Sequence, residues 1–138
     1  MSWHLLAVDP GTDKIGLAVL SDDSAVVYQR VVPAPEFYAE VDKLATEYKP
    51  QIMVMGDGTG ARSLKAEMEK RKMLGSSGTI VLVDEYRTSE EARKLYLSEH
   101  RRGWRRFVPL GLQTPPEPYD DYVAVILGKR YLDTIQKR

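Results

Sequence analysis

The strongest folding signal in this chain is the segment Leu5-Leu6-Ala7-Val8-Asp9-Pro10-Gly11-Thr12-Asp13. Its apolar half predicts a buried strand, and Pro-Gly directly after Asp9 is favourable turn chemistry. The residues that follow, 14–21, predict a hairpin partner that is covered on both sides, because both of its faces are apolar or small. We therefore expect the Asp9 carboxylate at the rim of a buried sheet, although an Asp before Pro-Gly is also a common turn former.

The order of the later elements predicts an α/β fold. A third strand at 25–32 follows the hairpin, and apolar residues then recur at helical spacing in Phe37, Val41, Leu44 and Tyr48. The remaining predicted elements are a strand at 52–55, a helix at 62–74, a strand at 79–83, a helix at 88–99 and a last helix at 119–136. Antiparallel strands followed by βαβ units predict a mixed five-stranded sheet with helices packed on it, within one domain that spans residues 1–138.

Composition excludes several classes of protein. The chain has 138 residues, no cysteine and two histidines, so neither a disulfide framework nor a thiolate or His-rich zinc site is available. Its 20 Lys and Arg balance its 20 Asp and Glu, so net charge neither favours nor disfavours a nucleic-acid partner. No apolar stretch approaches the roughly 20 residues that span a bilayer, and the N-terminus lacks the features of a signal peptide. We therefore expect a cytoplasmic protein with no membrane partner.

Acidic side chains follow three separate apolar elements. They are Asp9, the pair Asp84-Glu85 and the pair Asp120-Asp121. Carboxylates that converge repel one another unless cations hold them, and hard divalent cations prefer oxygen ligands. Two such ions about 4 Å apart can clamp the attacking and leaving oxygens of a phosphodiester, and a metal-bound water then replaces a histidine base. The pattern indicates a divalent-metal site that acts on phosphate.

The last helix offers two candidate ligands. Asp120 heads an apolar stripe that continues through Ala124, Leu127 and Tyr131, so its helical position is on the core-facing side, toward the sheet. Asp121 lies off this stripe and is better explained as a first-turn acid that complements the helix dipole. Asp120 is therefore the favoured ligand of the pair.

The middle ligand stays open. Because successive strand residues face opposite sides, only one of Asp84 and Glu85 can share a face with Asp9, and the sequence does not say which. Each of the two also has a plainer role as a strand-end acid that caps the next turn. Asp57 ends another buried strand and competes for the same position, although an Asp-Gly turn is its more ordinary role.

The turn after the first strand is suited to phosphate. Gly11 and Gly16 allow a phosphate oxygen or a metal ion to approach the backbone, because glycine has no side chain. Thr12 can donate a hydrogen bond at the same place. These three residues are the predicted phosphate contacts.

A basic segment lies between the last two helices. Arginines bind phosphates, and an exposed tryptophan can stack on an unpaired base. The candidate nucleic-acid contacts are Arg101, Arg102, Trp104, Arg105 and Arg106. The alternative, given equal weight, is a solvated basic loop whose aromatic residues fold back onto the core.

Three separated motifs carry a resemblance to a known family. They are Val8-Asp9-Pro10-Gly11-Thr12 with Ile15-Gly16-Leu17-Ala18-Val19, then Val83-Asp84-Glu85 with Thr88-Ser89-Glu90-Glu91-Ala92, then Asp120-Asp121 with Ala124 and Tyr131-Leu132. Together, and in this order along nearly the whole chain, they resemble the YqgF/RuvX family of RuvC-like proteins. The resemblance implies an RNase H-like fold and a nuclease that uses one or two Mg²⁺ or Mn²⁺ ions.

The resemblance also implies roles for individual residues. By position, Asp9, Glu85 and Asp120 match the family's catalytic metal ligands. The Asp-Glu-Arg motif of the family departs here to Asp-Glu-Tyr86, with Arg87 one place later as a candidate phosphate contact. The glycine loop at 56–60 reads Gly-Asp-Gly-Thr-Gly, closer to the related domain of Tex proteins than to the usual Gly-Leu-Pro.

The first functional hypothesis is a nuclease that hydrolyses phosphodiester bonds in structured nucleic acid. The resemblance implies either processing of the precursor of 16S ribosomal RNA or resolution of Holliday junctions and other branched DNA, by a monomer or a homodimer. The departures at Tyr86 and in the glycine loop motivate an alternative, a nucleic-acid-binding module with little or no catalysis. An actin-like ATP-binding domain also uses Asp-x-Gly-Thr before a hairpin, but it needs a second such domain, for which 138 residues leave no room.

Overall fold

The computed structural model describes residues 3–11, 13–58, 60–71, 79–84, 88–100 and 120–136. Its strands are β1 (His4–Asp9), β2 (Lys14–Ser21), β3 (Val26–Pro33), β4 (Ile52–Gly56) and β5 (Thr79–Val83). A short 3-10 turn at Ala34–Glu36 precedes α1 (Phe37–Tyr48), and the other helices are α2 (Ala61–Arg71), α3 (Thr88–His100) and α4 (Asp120–Gln136). Each element stands where the sequence predicts it, with boundaries that differ by about one residue. The predicted last residues of the second helix, 72–74, and the predicted first residue of the last helix, 119, lie outside the described residues.

The strands form one mixed sheet in the order β3-β2-β1-β4-β5. β1 and β2 pair antiparallel, as do β2 and β3, whereas β4 pairs parallel with both β1 and β5. The tight turn at the start of the chain produces the antiparallel half, and the crossover helices produce the parallel half. The predicted five-stranded mixed α/β sheet is therefore confirmed, and β1 lies at its centre.

The two faces of the sheet have separate cores. Leu5 and Ala7 of β1 face α3 and α4, and this side is called the α4 face. Leu6 and Val8 face α1 and α2, and this side is called the α1 face. The six residues at 15–20 of β2 are all buried, which confirms the prediction that this strand is covered on both sides.

A glycine lets α4 lie close to the sheet. A Cβ added at Gly128 would lie 3.0 Å from Leu20 Cδ1 and 3.2 Å from Leu5 Cδ1, closer than ordinary van der Waals contact. Small residues stand in the same layer, since Ala18 and Ala124 are fully buried there. Because Ala18, Ala124 and Gly128 have little or no side chain, α4 can pack close to the sheet.

We expect Gly128→Leu to lower the free energy of unfolding by about 1–3 kcal/mol, because the added methylenes have no room against β1 and β2. Gly128→Ala is expected to change it by less than about 1 kcal/mol, since better helix propensity offsets the tight contact. Urea unfolding followed by circular dichroism measures both values. Lys129→Leu, at the exposed neighbouring position, is the control; equal stability of Gly128→Leu and Lys129→Leu would contradict the packing argument.

In the part of the chain that the structure describes, no helix combines the length and the apolar character that crossing a membrane requires.

Candidate functional site

Acidic residues gather at one edge of the sheet. β1, β4 and β5 run parallel, so their carboxyl ends lie together, and Asp9, Asp57 and Asp84 stand at those ends. The backbone N–H of Asp57 donates to the carbonyl oxygen of Val83 at 3.1 Å, which holds the ends of β4 and β5 in line. This acidic edge is the end of an open α/β sheet where ligands ordinarily bind.

The alternation of the strands separates these acids. Asp9 shares its parity with Ala7, so it lies on the α4 face. Asp57 and Asp84 directly follow the last residues of β4 and β5, and both are exposed. If the alternation of each strand is continued by one residue, both fall on the side of Met55 and Leu82, which is the α1 face. On this extension neither Asp57 nor Asp84 shares a face with Asp9, and their roles as ligands stay predictions.

Glycines flank Asp9 within the sheet. Gly16 is its partner on β2, and the β1–β4 register, continued by one residue, sets Gly56 on its other side. Directly opposed residues share a face, so both glycines leave the α4 face beside Asp9 without a side chain. This arrangement is consistent with the predicted role of Gly16 in admitting a phosphate oxygen or an ion.

The turn after β1 has a steric reason for its glycine. A Cβ added at Gly11 would overlap the backbone carbonyl oxygen of Lys14 across the turn. A backbone atom cannot rotate away as a side chain can, so only glycine fits this turn. The sequence assigns Gly11 to phosphate approach, and the structure gives it a role in the turn itself; Thr12 lies outside the described residues.

The first turn of α4 is tied to the edge strand β3. The Nε2 of Gln29 donates to Oδ2 of Asp121 at 3.0 Å, and the backbone N–H of Tyr122 donates to its Oδ1 at 3.0 Å. Asp121 therefore does more than complement the helix dipole, because it connects α4 to the sheet across 92 residues of sequence.

α4 begins at the acidic-edge end of the sheet. Gln29, which bonds to Asp121, is aligned across the sheet with Ala7, because both pair with Ala18 of β2. Ala7 is the neighbour of Asp9 on this face of β1. Further along the helix, Gly128 packs against the paired residues Leu5 and Leu20, which are farther from the acidic edge. The helix thus runs away from that edge, and its first residue, Asp120, stands at the end nearest Asp9.

Several predicted residues lie outside the described part of the chain. They are Glu85 and the nucleic-acid candidates Arg87, Arg101, Arg102, Trp104, Arg105 and Arg106. The backbone of Asp120 is described but its side chain is not. Within the described residues no three His, Cys, Asp or Glu side chains form a group that could hold a metal ion. The proposed ligand set of Asp9, Glu85 and Asp120 stays a prediction.

A groove of about 420 Å³ opens on the other side of the Pro10–Gly11 turn. Its walls include Phe37 and Tyr38 of α1 and Leu64 of α2, which belong to the core of the α1 face. The described residues that line the groove are mostly apolar, and no carboxylate is among them. The groove is therefore separate from the Asp9 side of the acidic edge.

One residue that the sequence pattern does not single out joins three elements near this edge. Arg130 of α4 donates from Nη1 to the carbonyl oxygen of Asp84 at 3.2 Å and from Nη2 to Oε1 of Glu91 at 2.9 Å. The three residues belong to α4, the end of β5 and the first turn of α3. No local spacing signals such a contact, because its partners are 46 and 39 residues away.

Two solved Holliday junction resolvases resemble this chain in architecture. RuvC of Thermus thermophilus in complex with a Holliday junction substrate matches with a TM-score of 0.58 at 13% identity, over 97% of this chain and 96% of that one. The fowlpox virus resolvase in complex with Holliday junction DNA matches with a TM-score of 0.61 at 14% identity, over 96% and 98%. No protein-family model and no curated protein sequence matches the chain. At these identities the likeness concerns the fold alone, and the chain has the fold of the RuvC-like resolvases.

Proposed function

We propose that this chain is a metal-dependent nuclease that hydrolyses phosphodiester bonds in branched nucleic acid. The observation that carries the proposal is the position of Asp9, on the α4 face of the central strand, at the end of the sheet where α4 begins. Flanking glycines leave space beside the carboxylate for a phosphate group. The fold shared with junction resolvases supports this reading of the acidic edge.

The proposed ligands are Asp9, Glu85 and Asp120, with Mg²⁺ or Mn²⁺. We favour Glu85 over Asp84 as the middle ligand, because the alternation of β5, continued by one residue, gives Asp84 the face opposite Asp9. Carboxylate oxygens are the donors that both ions prefer. Ions bound there would supply a Lewis acid and a water of lowered pKa.

The roles of the protein itself follow from these positions. Asp9 would hold its ligand oxygen on a rigid strand, while the bond between Gln29 and Asp121 would keep the first turn of α4 at a fixed place over the sheet. Such rigid support matters because a ligand set must be held to a fraction of an ångström. The turn at Gly11 orients the chain directly after Asp9.

Branched DNA is the substrate class to test first, because both structural neighbours were solved with Holliday junction DNA. Structured RNA, such as the precursor of 16S ribosomal RNA, is the second class. The arginines at 101, 102, 105 and 106, with Arg87 and Trp104, are the proposed contacts to phosphate and to unpaired bases. Resolution of a junction needs two cuts, so we propose a homodimer for that activity, whereas a monomer suffices for RNA processing. We propose that either activity takes place in the cytoplasm.

The test is cleavage of labelled substrates by the purified protein. Four-way junctions, matched linear duplexes and a structured precursor RNA are incubated with Mn²⁺, with Mg²⁺ and with EDTA. We expect metal-dependent cleavage of the junction above that of the linear duplex. Cleavage of RNA alone would change the substrate class, while tight binding without turnover in either metal would favour the non-catalytic binding module.

A further inference from the structure

Arg130 forms a two-armed contact on the α4 face. One arm of its guanidinium reaches the backbone oxygen of Asp84 at 3.2 Å, and the other reaches the carboxylate of Glu91 at 2.9 Å. The arginine side chain is 27% exposed and that of Glu91 is 50% exposed. An ion pair with this much solvent contributes little to stability, so the contact of Arg130 that carries the argument is its bond to the backbone oxygen of Asp84.

The elements that Arg130 joins are those that carry the proposed ligands. Asp84 directly precedes Glu85 in the chain, and α4, which bears Arg130, starts with Asp120. The bond to Asp84 is to a backbone carbonyl, so it fixes the position of the backbone at Asp84, directly after β5. A change in this contact would alter the separation between the end of β5 and α4.

We propose that Arg130 is a positioning residue for the metal site. It sets the distance between the backbone at Asp84 and the helix that carries Asp120, and its pair with Glu91 aligns the guanidinium for that contact. This inference rests on the proposed nuclease function, since it concerns the ligands of that site. Arginine suits the role because its planar fork presents two donors in fixed directions, whereas lysine offers a point charge that cannot reproduce both contacts.

The neighbouring cation provides a matched control. Lys129 is exposed on the same helix, one residue away, and no ion pair forms to it within the described part of the chain. Replacement of Lys129 removes the same charge from the same region without touching Asp84 or Glu91. An effect of Arg130 that arises only from net charge would therefore appear at Lys129 as well.

The experiment compares Arg130→Met, Arg130→Lys, Glu91→Gln and Lys129→Met with the unaltered protein. Mn²⁺ affinity is measured directly by calorimetry and by electron paramagnetic resonance, next to junction cleavage and thermal unfolding. We expect Arg130→Met to weaken Mn²⁺ binding by about 3-fold to 10-fold, the effect of losing one hydrogen bond that acts on the ligands through the backbone of Asp84. Arg130→Lys and Glu91→Gln should lie between this variant and the unaltered protein, and Lys129→Met should bind Mn²⁺ normally.

Each other outcome has a defined meaning. Unchanged Mn²⁺ affinity in folded Arg130→Met overturns the positioning role and leaves the nuclease proposal standing. Loss of folding in Arg130→Met shifts the decision to Glu91→Gln and Arg130→Lys, whose normal affinity would then overturn the role. If the unaltered protein binds no Mn²⁺ and cleaves nothing, the proposed function fails, and the positioning role fails with it.

Discussion

Asp9→Asn is expected to lower the rate of metal-dependent cleavage by at least about 100-fold, since it replaces a charged oxygen ligand at the proposed ion site by a neutral amide. The substitution keeps the size and shape of the side chain. Asp9 ends a strand that is hydrogen-bonded on both edges, so the backbone around it should not move. Initial rates on a labelled four-way junction at saturating Mn²⁺ measure the effect.

The control for Asp9→Asn is Asp42→Asn, which removes one exposed carboxylate from α1 on the other side of the sheet. It should cleave as the unaltered protein does. Junction binding, measured by fluorescence anisotropy in Ca²⁺, should be the same or tighter in Asp9→Asn, because one negative charge near the phosphates is lost. Cleavage that survives Asp9→Asn would place the reaction elsewhere or assign it to a contaminant.

Gly11→Ala is expected to lower the free energy of unfolding by about 2–3 kcal/mol or more, because the new methyl group would overlap the backbone carbonyl of Lys14. The hairpin must open to relieve this overlap. Since Asp9 stands two positions before the glycine, the same movement should reduce cleavage under conditions where the variant is still folded. Urea unfolding and single-turnover cleavage at low temperature measure the two effects separately.

Gly60→Ala separates crowding from backbone strain. No atom of the described residues beyond its chain neighbours lies within 4 Å of a Cβ at Gly60, but its φ of +83° is in the left-handed region. The expected loss of stability is about 1–2 kcal/mol, from strain alone. If Gly11→Ala costs no more than Gly60→Ala, the overlap at the turn is relieved without opening the hairpin, and the proposed link between this turn and Asp9 is wrong.

Much of the fold could be predicted because its signals are local. The apolar run before Asp9 and the Pro-Gly turn after it predict the first hairpin. The two apolar faces of β2 predict that this strand is buried on both sides. Helical spacing in Phe37, Val41 and Leu44 predicts α1, in which all three are buried. These features depend on neighbours within a few residues, which is the range over which sequence patterns act.

The site could be predicted only in part, because its remaining features depend on contacts between distant residues. Alternation predicts opposite sides for Asp84 and Glu85, but the side of Asp84 can be argued only from the packing of β5, whose Leu82 packs against the core of the α1 face. The bond between Gln29 and Asp121 is equally invisible in the sequence, since it spans 92 residues. Helix spacing assigns Asp121 only to the dipole and cannot reveal its partner.

The central place of β1 bears on how the molecule can adapt to a large partner. β1 is flanked by strands on both sides and by helix layers above and below, and residues 5–8 are fully buried. Segments of this kind open only when the whole domain unfolds, whereas edge strands and surface turns open in smaller, more frequent fluctuations. Asp9 is thus attached to the part of the protein that yields last, and any adjustment to a bent or forked substrate has to come from the surrounding surface or from the substrate itself.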